Sequence, residues 1–299
     1  MNQRIERVRA AMQAQGLTQM IVSDPKSVWY LTGVEVEPYE RLLALYLPVC
    51  GEPVLFLNRL FNVPNPPCKA VWHDDAQDPV AQIAGVVDAA ATLGIDKEWT
   101  AKFLIPLMQH CPGMRVVLAS DCVDDCRACK DEAEQTLMRE ASRINDEVNA
   151  AVKQYVRVGM TEKQVARFVD EQYLAHGCEG NSFTTIVSFG ANAADPHHEP
   201  DNTVLQPGQC VLVDMGCRKN RYCSDMTRTW FAGTPTEKQA AVHELVHRAN
   251  LAAEALVKPG VRLCDVDAAA RQVIAQAGYG AYFNHRLGHF IGQTDHEKG

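Results

Sequence analysis

Two aspartates occupy positions where a folded chain normally places apolar side chains. Asp214 interrupts the apolar run of residues 210–215, which is entered through a Pro-Gly pair and ends at Gly216, as a buried strand would. Asp225 lies in a second strand-like segment. Because an unpaired buried carboxylate is costly or takes up a proton, a cation should lie beside each of them. These residues predict a buried metal site or a buried ion pair.

The spacing of the aspartates fits an antiparallel hairpin, since they lie 11 positions apart. We predict one strand to about Met215, a loop over residues 218–221 and a returning strand over residues 222–231. Both carboxylates would then face one pocket. Arg228 is the alternative cation, because an ion pair with Asp225 would also explain a buried carboxylate. The hairpin alone leaves both interpretations open.

Histidines cluster near residue 290. Three of them, His285, His289 and His296, flank a glycine-spaced apolar segment that we predict to be a strand. A lone histidine is more often a hydrogen-bonded structural residue than a ligand, but a cluster raises the expectation of a site. His197 is a fourth candidate, with His198 as its expected exposed neighbour.

The order of these motifs resembles that of the pita-bread metallopeptidases, which include Xaa-Pro aminopeptidases, prolidases and methionine aminopeptidases. The matching blocks are residues 182–197, 211–216, 224–229 and 285–297, preceded by a helix-like start at 130–139. Residues 1–120, notably 29–33, resemble the creatinase-type amino-terminal domain. Methionine aminopeptidases usually lack that domain, so the resemblance favours the Xaa-Pro branch.

This resemblance implies a role for each candidate residue. Asp214 would chelate one metal ion, Asp225 would bridge two, and His289 would bind one through an imidazole nitrogen. Mostly oxygen ligands with one histidine suit two divalent ions, Mn²⁺ first, with Co²⁺, Zn²⁺ or Fe²⁺ as alternatives. Such ions share a hydroxide nucleophile and polarise the scissile carbonyl. The residues expected to orient substrate and stabilise developing charge are His197, His285 and His296.

The sequence departs from the family after these motifs. Family members continue through two further strands, each with a glutamate ligand, and one of these glutamates also shuttles protons. Neither is present, so we expect a carboxy-terminally truncated enzyme that retains three of five ligands and is inactive by itself. Phe290 replaces the glycine usual after the ligand histidine, and Gln293 and Thr294 stand where apolar residues are common.

Composition limits the remaining functions. A chain of 299 residues with 46% hydrophobic residues is large enough for two domains. A net charge of −8 argues against a nucleic-acid partner, which requires a basic face. No segment resembles a membrane helix or the apolar core of a signal peptide. We predict a cytoplasmic protein with a peptide substrate and no membrane partner, and the family resemblance implies a homodimer.

The eleven cysteines are an odd number, which favours free thiols over a disulfide framework. Cys122, Cys126 and Cys129 have a spacing that iron–sulfur enzymes use, and the same spacing marks one face of a helix. The segment leads into a polar helix and lacks the strand-loop context of a cluster-binding barrel. We therefore interpret it as a core helix.

The elements that position these residues suggest an α/β (α+β) chain of two domains. Residues 1–16 predict a helix and 19–22 a strand; residues 42–47 and 53–57 predict a hairpin, and residues 80–91 a helix. We expect a small creatinase-type α/β domain over residues 1–125 and an incomplete pita-bread catalytic domain over residues 126–299.

The second domain contains a faint internal repeat. Gly159 and Gly177 recur 101 positions later as Gly260 and Gly278, and each copy predicts a helix, a turn and a second helix. Thr161 begins a capping-box pattern, and Gly177 and Gly278 are suitable helix ends. Duplicated halves that meet around one site suit the pita-bread fold.

These observations predict metal-dependent hydrolysis of the amino-terminal Xaa-Pro bond of dipeptides or short peptides. A creatinase-like amidohydrolase is the first alternative, disfavoured because Asp214, Asp225 and His289 retain the metal pattern that creatinases lack. A non-catalytic peptide- or protein-binding module is the second. The three retained ligands favour an enzyme, whereas the two absent glutamates leave the binding module open.

Overall fold

A computed structural model describes residues 3–298, and the chain divides into two units, Met1–Cys129 and Lys130–Gly299. The division lies four residues beyond the predicted boundary at residue 125. A boundary at 125 would cut a helix, Asp121–Ala128, whose buried side chains belong to the core of the first unit.

The first unit is built on a six-stranded mixed sheet. Its strands are β1 (Gln19–Val22), β2 (Ala44–Pro48), β3 (Val54–Asn58), β4 (Lys69–His73), β5 (Leu93–Ile95) and β6 (Val116–Leu118). Their spatial order is β4-β3-β2-β1-β5-β6, with β1, β2 and β3 antiparallel and the outer pairs parallel. Its helices are α1 (Gln3–Ala14), α2 (Pro25–Thr32), α3 (Pro79–Ala84), α4 (Ala101–His110) and α5 (Asp121–Ala128).

Most predicted elements of this unit are confirmed. Helix α1 and strand β1 lie where the sequence pattern places them, although residues 1 and 2 of the predicted first helix lie outside the described residues. The predicted hairpin is β2–β3. The helix predicted over residues 80–91 is wrong in length, because α3 ends at Ala84 and Gly85 caps it.

The three clustered cysteines lie on and just after α5. Cys122 and Cys126 are buried in the core of the first unit, and Cys129 is exposed beyond the helix end. Burial raises the pKa of the Cys122 thiol to about 11, so it is neutral and poorly reactive at physiological pH. The core-helix interpretation of this segment is confirmed.

The described residues of the second unit form four α-helices: α6 (Glu132–Tyr155), α7 (Glu162–Ala175), α8 (Glu237–Glu254) and α9 (Leu263–Gln276). The capping box at Thr161 is confirmed, with Gln164 as its partner. Helix α9 begins and ends 101 residues after α7, and Gly177 and Gly278 both have positive φ angles, 67° and 84°. The predicted repeat is therefore a structural one. Among residues 3–298, no helix is both long and apolar enough to cross a membrane.

Up to residue 298, the second unit also contains six strands. They are β7 (Gly180–Asn181), β8 (Ile186–Phe189), β9 (Cys210–Met215), β10 (Cys217–Lys219), β11 (Tyr222–Cys223) and β12 (Met226–Phe231). One antiparallel sheet has the order β12-β9-β8 and the other the order β11-β10-β7. Apolar side chains of β8 and β9 pack with those of α6 and α7 in one buried cluster, which holds the site-bearing strands in place.

The glycine-spaced strand predicted at His285, His289 and His296 is wrong. The described residues after Phe283 form no strand. Gly292 accepts a hydrogen bond from the Cys223 amide, but the segment then folds back on itself, with the Glu297 amide donating to Phe290. A strand requires a continuous ladder with a neighbour, whereas this segment has one backbone bond to Cys223 and then local bonds.

Candidate metal centre

The two aspartates lie on one face of the β9–β12 hairpin. Asp214 pairs across the ladder with Thr227, and Asp225 directly precedes β12, two residues from Thr227. Side chains two positions apart on a strand point to the same face, so Asp225 is the diagonal neighbour of Asp214. The hairpin therefore brings both carboxylates together, as their spacing predicts.

Gly216 interrupts the strand pairing of this hairpin without changing its register. The ladders on either side share one register, with the pairs Met215–Met226 and Arg218–Cys223. A Cβ at residue 216 would lie 1.9 Å from the Ser224 carbonyl oxygen, so only glycine fits there. The predicted returning strand is consequently divided into β11 and β12. Asn220 and Arg221, with φ angles of 48° and 71°, form the turn at the hairpin tip.

Asp214 is a carboxylate with too few partners. Its Oδ1 atom is buried and has no hydrogen-bond partner among the described residues. Burial raises the pKa of Asp214, while a hydrogen bond from Thr227 and the nearby rings of His289 and His296 lower it. Buried polar atoms are rarely left unpaired in native proteins, and this oxygen suits a metal cation.

Asp225 carries the second carboxylate of the site. Its Oδ2 lies 3.4 Å from Nε2 of His289, and its side chain is 26% exposed. Burial raises the pKa of Asp225, and the charge of Asp214 raises it further. The two carboxylates therefore repel each other unless a cation or a proton lies between them.

Arg228 does not supply that cation. Its side chain is exposed, and its guanidinium donates to the carbonyl of Thr227. In residues 3–298 the ion-pair partner found for Asp225 is His289 and not Arg228. The alternative in which Arg228 explains the buried carboxylate is therefore not supported.

The His289 ring is oriented to act as a ligand. Its Nδ1 lies 3.0 Å from the Phe290 carbonyl, so the tautomer protonated at Nδ1 donates there and leaves a lone pair on Nε2 toward Asp225. Two donors that each bind an ion at about 2.1 Å lie roughly 3 to 3.5 Å apart. The 3.4 Å separation of Nε2 and Oδ2 is compatible with one shared ion.

His296 lies directly against His289. The two rings stack with their centroids 3.8 Å apart. Nδ1 of His296 lies 3.0 Å from Oδ2 of Asp295, so this carboxylate fixes the ring and its tautomer. Nε2 of His296 remains available to a ligand. Asp295 was not among the residues identified from sequence.

One cavity of about 530 Å³ brings all of the predicted site residues together. They are His197, Asp214, Asp225, His285, His289 and His296. Apolar side chains of Phe183, Ile186 and Leu287 also line it. A cavity of this size with a few convergent polar groups suits a small ligand.

Two side chains of helix α9 hold the loop that carries His285 in place. The sequence did not predict these contacts. Arg271 donates to the carbonyls of Phe283 at 2.7 Å and His285 at 3.0 Å. Asp267 forms an ion pair with Arg271 and accepts from the Leu287 amide at 2.9 Å. The only signal in the sequence is the i, i+4 spacing of an aspartate and an arginine, which surface helices also show.

His197 and His198 have opposite environments. His197 is exposed at the cavity, and its ring has no hydrogen-bond partner in the part of the chain that the structure describes. The expectation that His198 is the exposed one is wrong: its side chain is 14% exposed, and its Nε2 lies 2.7 Å from Oε2 of Glu162. A buried carboxylate on another element orders His198, and nothing local in the sequence reveals that contact.

Removing one carboxylate should stabilise the metal-free protein. In the full-length natural protein treated with chelator, Asp214→Asn is expected to raise Tm at neutral pH by about 2–4 °C, equivalent to roughly 1 kcal/mol. Folding raises the pKa of both carboxyls, so their charged forms oppose folding above the raised pKa.

Calorimetry at neutral and mildly acidic pH checks this expectation. The gain should disappear as pH falls through the raised pKa, where the wild-type carboxyl becomes neutral. Adding Mn²⁺ should raise Tm in the wild type and much less in the variant. A lower Tm for Asp214→Asn without metal would show that this carboxylate is well paired by the protein itself.

Each of the two units matches a different known family. Residues 136–299 match metallopeptidase family M24, and residues 4–129 match the creatinase/prolidase N-terminal domain. An uncharacterized peptidase of Staphylococcus epidermidis is 32% identical over 304 residues, which cover 98% of this chain and 84% of that protein.

Solved structures agree with these matches. Dipeptidase PepE from Mycobacterium ulcerans superposes with a TM-score of 0.93 at 35% identity, over 99% of this chain and 82% of that chain. A recombinant prolidase from Thermococcus sibiricus superposes with a TM-score of 0.91 at 29% identity, over 99% and 83%. Both the fold of each unit and the order of the units are shared with these proteins.

Proposed function

Because this chain belongs to metallopeptidase family M24, we propose that it hydrolyses the amino-terminal Xaa-Pro bond of dipeptides or short peptides with the help of divalent metal ions. The predicted pita-bread family and fold are confirmed by the matches. Two similar solved structures are a dipeptidase and a prolidase, which supports a dipeptide substrate. We assign the creatinase-type domain to the first unit and catalysis to the second.

The observation that carries the proposal is the convergence of Asp214, Asp225 and His289 around a buried, unpaired carboxylate oxygen. These three residues would hold the metal. Bound divalent ions supply an activated water and polarise the scissile carbonyl. We infer two ions bridged by Asp225, with Mn²⁺ preferred and Co²⁺, Zn²⁺ or Fe²⁺ as alternatives, because the donors are mostly oxygen with one imidazole.

Three further histidines would act on the substrate. The His197 ring is exposed and without a partner in residues 3–298, so it is free to contact a bound peptide. His285 has its Nδ1 2.7 Å from the Arg286 carbonyl, which leaves Nε2 for the ligand, and Asp295 holds His296 in the same way. In a neutral ring of this tautomer Nε2 accepts a hydrogen bond and could orient an N–H group of the peptide. A ring that also carries a proton on Nε2 would donate to the peptide carbonyl oxygen and stabilise the negative charge that develops there.

The alternatives fit the site less well. A creatinase-like amidohydrolase would not need the carboxylate pair on the β9–β12 hairpin. A peptide-binding module would gain nothing from an unpaired buried oxygen on Asp214. A homodimer, a cytoplasmic location and the absence of nucleic-acid or membrane partners remain predictions from the sequence, and sedimentation of the full-length protein checks the first of them.

A substrate panel tests the proposal. The full-length natural protein, with Mn²⁺, Co²⁺ or Zn²⁺ and with chelator, is assayed on Ala-Pro, Ala-Ala, N-acetyl-Ala-Pro and creatine. We expect metal-dependent cleavage of Ala-Pro, weaker cleavage of Ala-Ala and none of the blocked peptide. Turnover of creatine would favour the amidohydrolase, and binding of peptide without turnover in any metal would favour the binding module.

The three proposed metal ligands also support a prediction about the 299-residue chain by itself. We expect it to bind Mn²⁺, Co²⁺ and Zn²⁺ weakly and to show no dipeptidase activity, because Asp214, Asp225 and His289 are too few donors for a paired ion site. Calorimetric titration beside sedimentation of the same sample measures this. Tight binding of two ions by a monomer would show that other residues complete the site, and the donor assignment would then need replacing.

A further inference from the structure

Glu162, the first residue of α7, has a fully buried side chain that the proposed chemistry does not use. Its Oε1 accepts from the Phe189 amide at 2.7 Å and from Asn192 Nδ2 at 3.0 Å. Its Oε2 accepts from the Asp201 amide at 3.1 Å, and from His198 Nε2 at 2.7 Å in the tautomer protonated there. A buried carboxylate is tolerated when its acceptor positions are filled in this way.

All four donors belong to one stretch of chain, residues 189–201. The same stretch continues to residue 203 and binds the first turn of α7, where helix amides have no partner within the helix. The Glu162 amide donates to the Thr203 carbonyl at 3.2 Å, and the Lys163 amide donates to the Asp201 carbonyl at 3.1 Å. The segment 189–203 is therefore attached to the start of α7 through one buried side chain and two backbone bonds.

His197 lies inside this segment, between two of the residues that contact Glu162. Asn192 precedes it and His198 follows it directly. The short turn between them is fixed by Asp195, whose amide donates to the Asn192 carbonyl at 3.1 Å and whose Oδ1 accepts from the His197 amide at 2.9 Å. A displacement of either contact would move the His197 backbone, and with it the exposed ring at the cavity.

We propose that Glu162 is a positioning residue, whose carboxylate fixes segment 189–203 and thereby holds the His197 imidazole at the substrate cavity. This inference rests on the proposed function, since it concerns the placement of a histidine that would contact the peptide. Misplacement of a catalytic group by about 1 Å can lower turnover roughly 100-fold. A side chain with no atom in the cavity could therefore control the rate.

Metal binding is the competing interpretation of the same cluster. Ligand atoms of Glu162, His198 and Asp201 lie within 4.8 Å of one another, a spacing that could hold an ion. The Glu162 oxygens, however, already accept from four donors. Asp201 is exposed, and hydrogen bonds from the Thr203 hydroxyl and amide lower the pKa of its carboxyl. The network is complete without an ion, which favours positioning.

Glu162→Gln tests the proposal in the full-length natural protein. Glutamine keeps the size of the side chain but presents an amide nitrogen to one pair of donors. We expect kcat for Ala-Pro to fall about 10- to 100-fold, with KM within about threefold and metal content unchanged. Glu171→Gln, which removes an exposed charge from the same helix, should change none of these.

The decisive measurement places Glu162→Gln in a His197→Ala background. If Glu162 acts through His197, the second substitution should lower kcat little further, whereas independent effects would multiply. Val169→Ala, which opens a cavity in the buried face of α7, controls for stability: it should lower Tm without lowering kcat. If Glu162→Gln behaves like Val169→Ala, or multiplies with His197→Ala, the positioning role is wrong.

Amide hydrogen exchange gives a readout that does not depend on activity. Glu162→Gln should accelerate exchange within residues 189–203 and leave β9 and β12 unchanged. Unchanged exchange in that segment would overturn the proposal. If the wild type hydrolyses no peptide but the segment still loosens, the proposed function fails while the attachment stands. Loss of a bound Zn²⁺ ion in Glu162→Gln, with the Asp214 site still loaded, would replace positioning by metal binding.

Discussion

Replacing Asp225 by asparagine is expected to abolish metal-dependent hydrolysis of Xaa-Pro peptides while leaving the protein folded and soluble. Oδ2 of Asp225 lies 3.4 Å from Nε2 of His289, and the nearby charge of Asp214 raises the pKa of Asp225. A carboxylate with these two neighbours could bind two ions. An asparagine amide keeps one weaker oxygen donor and loses the charge. We expect kcat/KM to fall at least about 1,000-fold, with a matching loss of bound metal.

Turnover and metal stoichiometry should be measured on the same samples. Asp146→Asn is a matched control, since it removes an exposed carboxylate from α6 and should change neither quantity. The result that would contradict the assignment is an Asp225→Asn protein that still binds two ions and still cleaves Ala-Pro. Loss of activity together with loss of solubility would point to a structural role and would also contradict it.

Replacing His197 by alanine should have the next largest effect, with a different signature. Its ring reaches the cavity, and within residues 3–298 it forms no hydrogen bond or ion pair with Asp214 or Asp225, so metal content should stay constant. We expect turnover to fall about 10- to 1,000-fold, the range found when one group that stabilises developing charge is removed. Steady-state kinetics beside metal analysis distinguishes this outcome from that of Asp225→Asn.

A structural role for His197 predicts the reverse pattern. The variant would then lose thermal stability and keep its rate per folded molecule. His247→Ala, an exposed histidine on α8, is the control for removing an imidazole from the surface of the same unit. It should leave both stability and rate nearly unchanged.

The hairpin is the part of the site that sequence predicts best. Strand residues alternate strictly, so Asp214 and Asp225 fall on one face once the turn sets the register in which Asp214 pairs with Thr227. Their spacing is compatible with that register. The apolar run around Asp214 is an equally direct signal of a site, because a charged residue inside such a run requires a nearby cation. The roles of the histidines came from the family resemblance, since four histidines at irregular spacing do not define a geometry.

Contacts between distant segments could not be predicted. In the sequence, Glu162 is an ordinary acidic residue in the first turn of a helix. A favourable interaction with the helix dipole would be enough to explain its presence there. Its burial depends on residues 189–203 folding over it. The strand expected at His285, His289 and His296 was not predicted correctly for a related reason. An apolar, glycine-spaced pattern shows that a segment could join a sheet, but whether it pairs depends on the backbone that lies beside it.

The shared register on both sides of Gly216 restricts how this protein can vary in length during evolution. Residues added at the tip, Asn220 and Arg221, would lengthen the hairpin without turning either aspartate. A single insertion or deletion in one strand, between the tip and either aspartate, would reverse every side chain beyond it and move one carboxylate to the opposite face. Natural length variation in relatives should therefore gather at the tip, while the two strands keep a constant residue count.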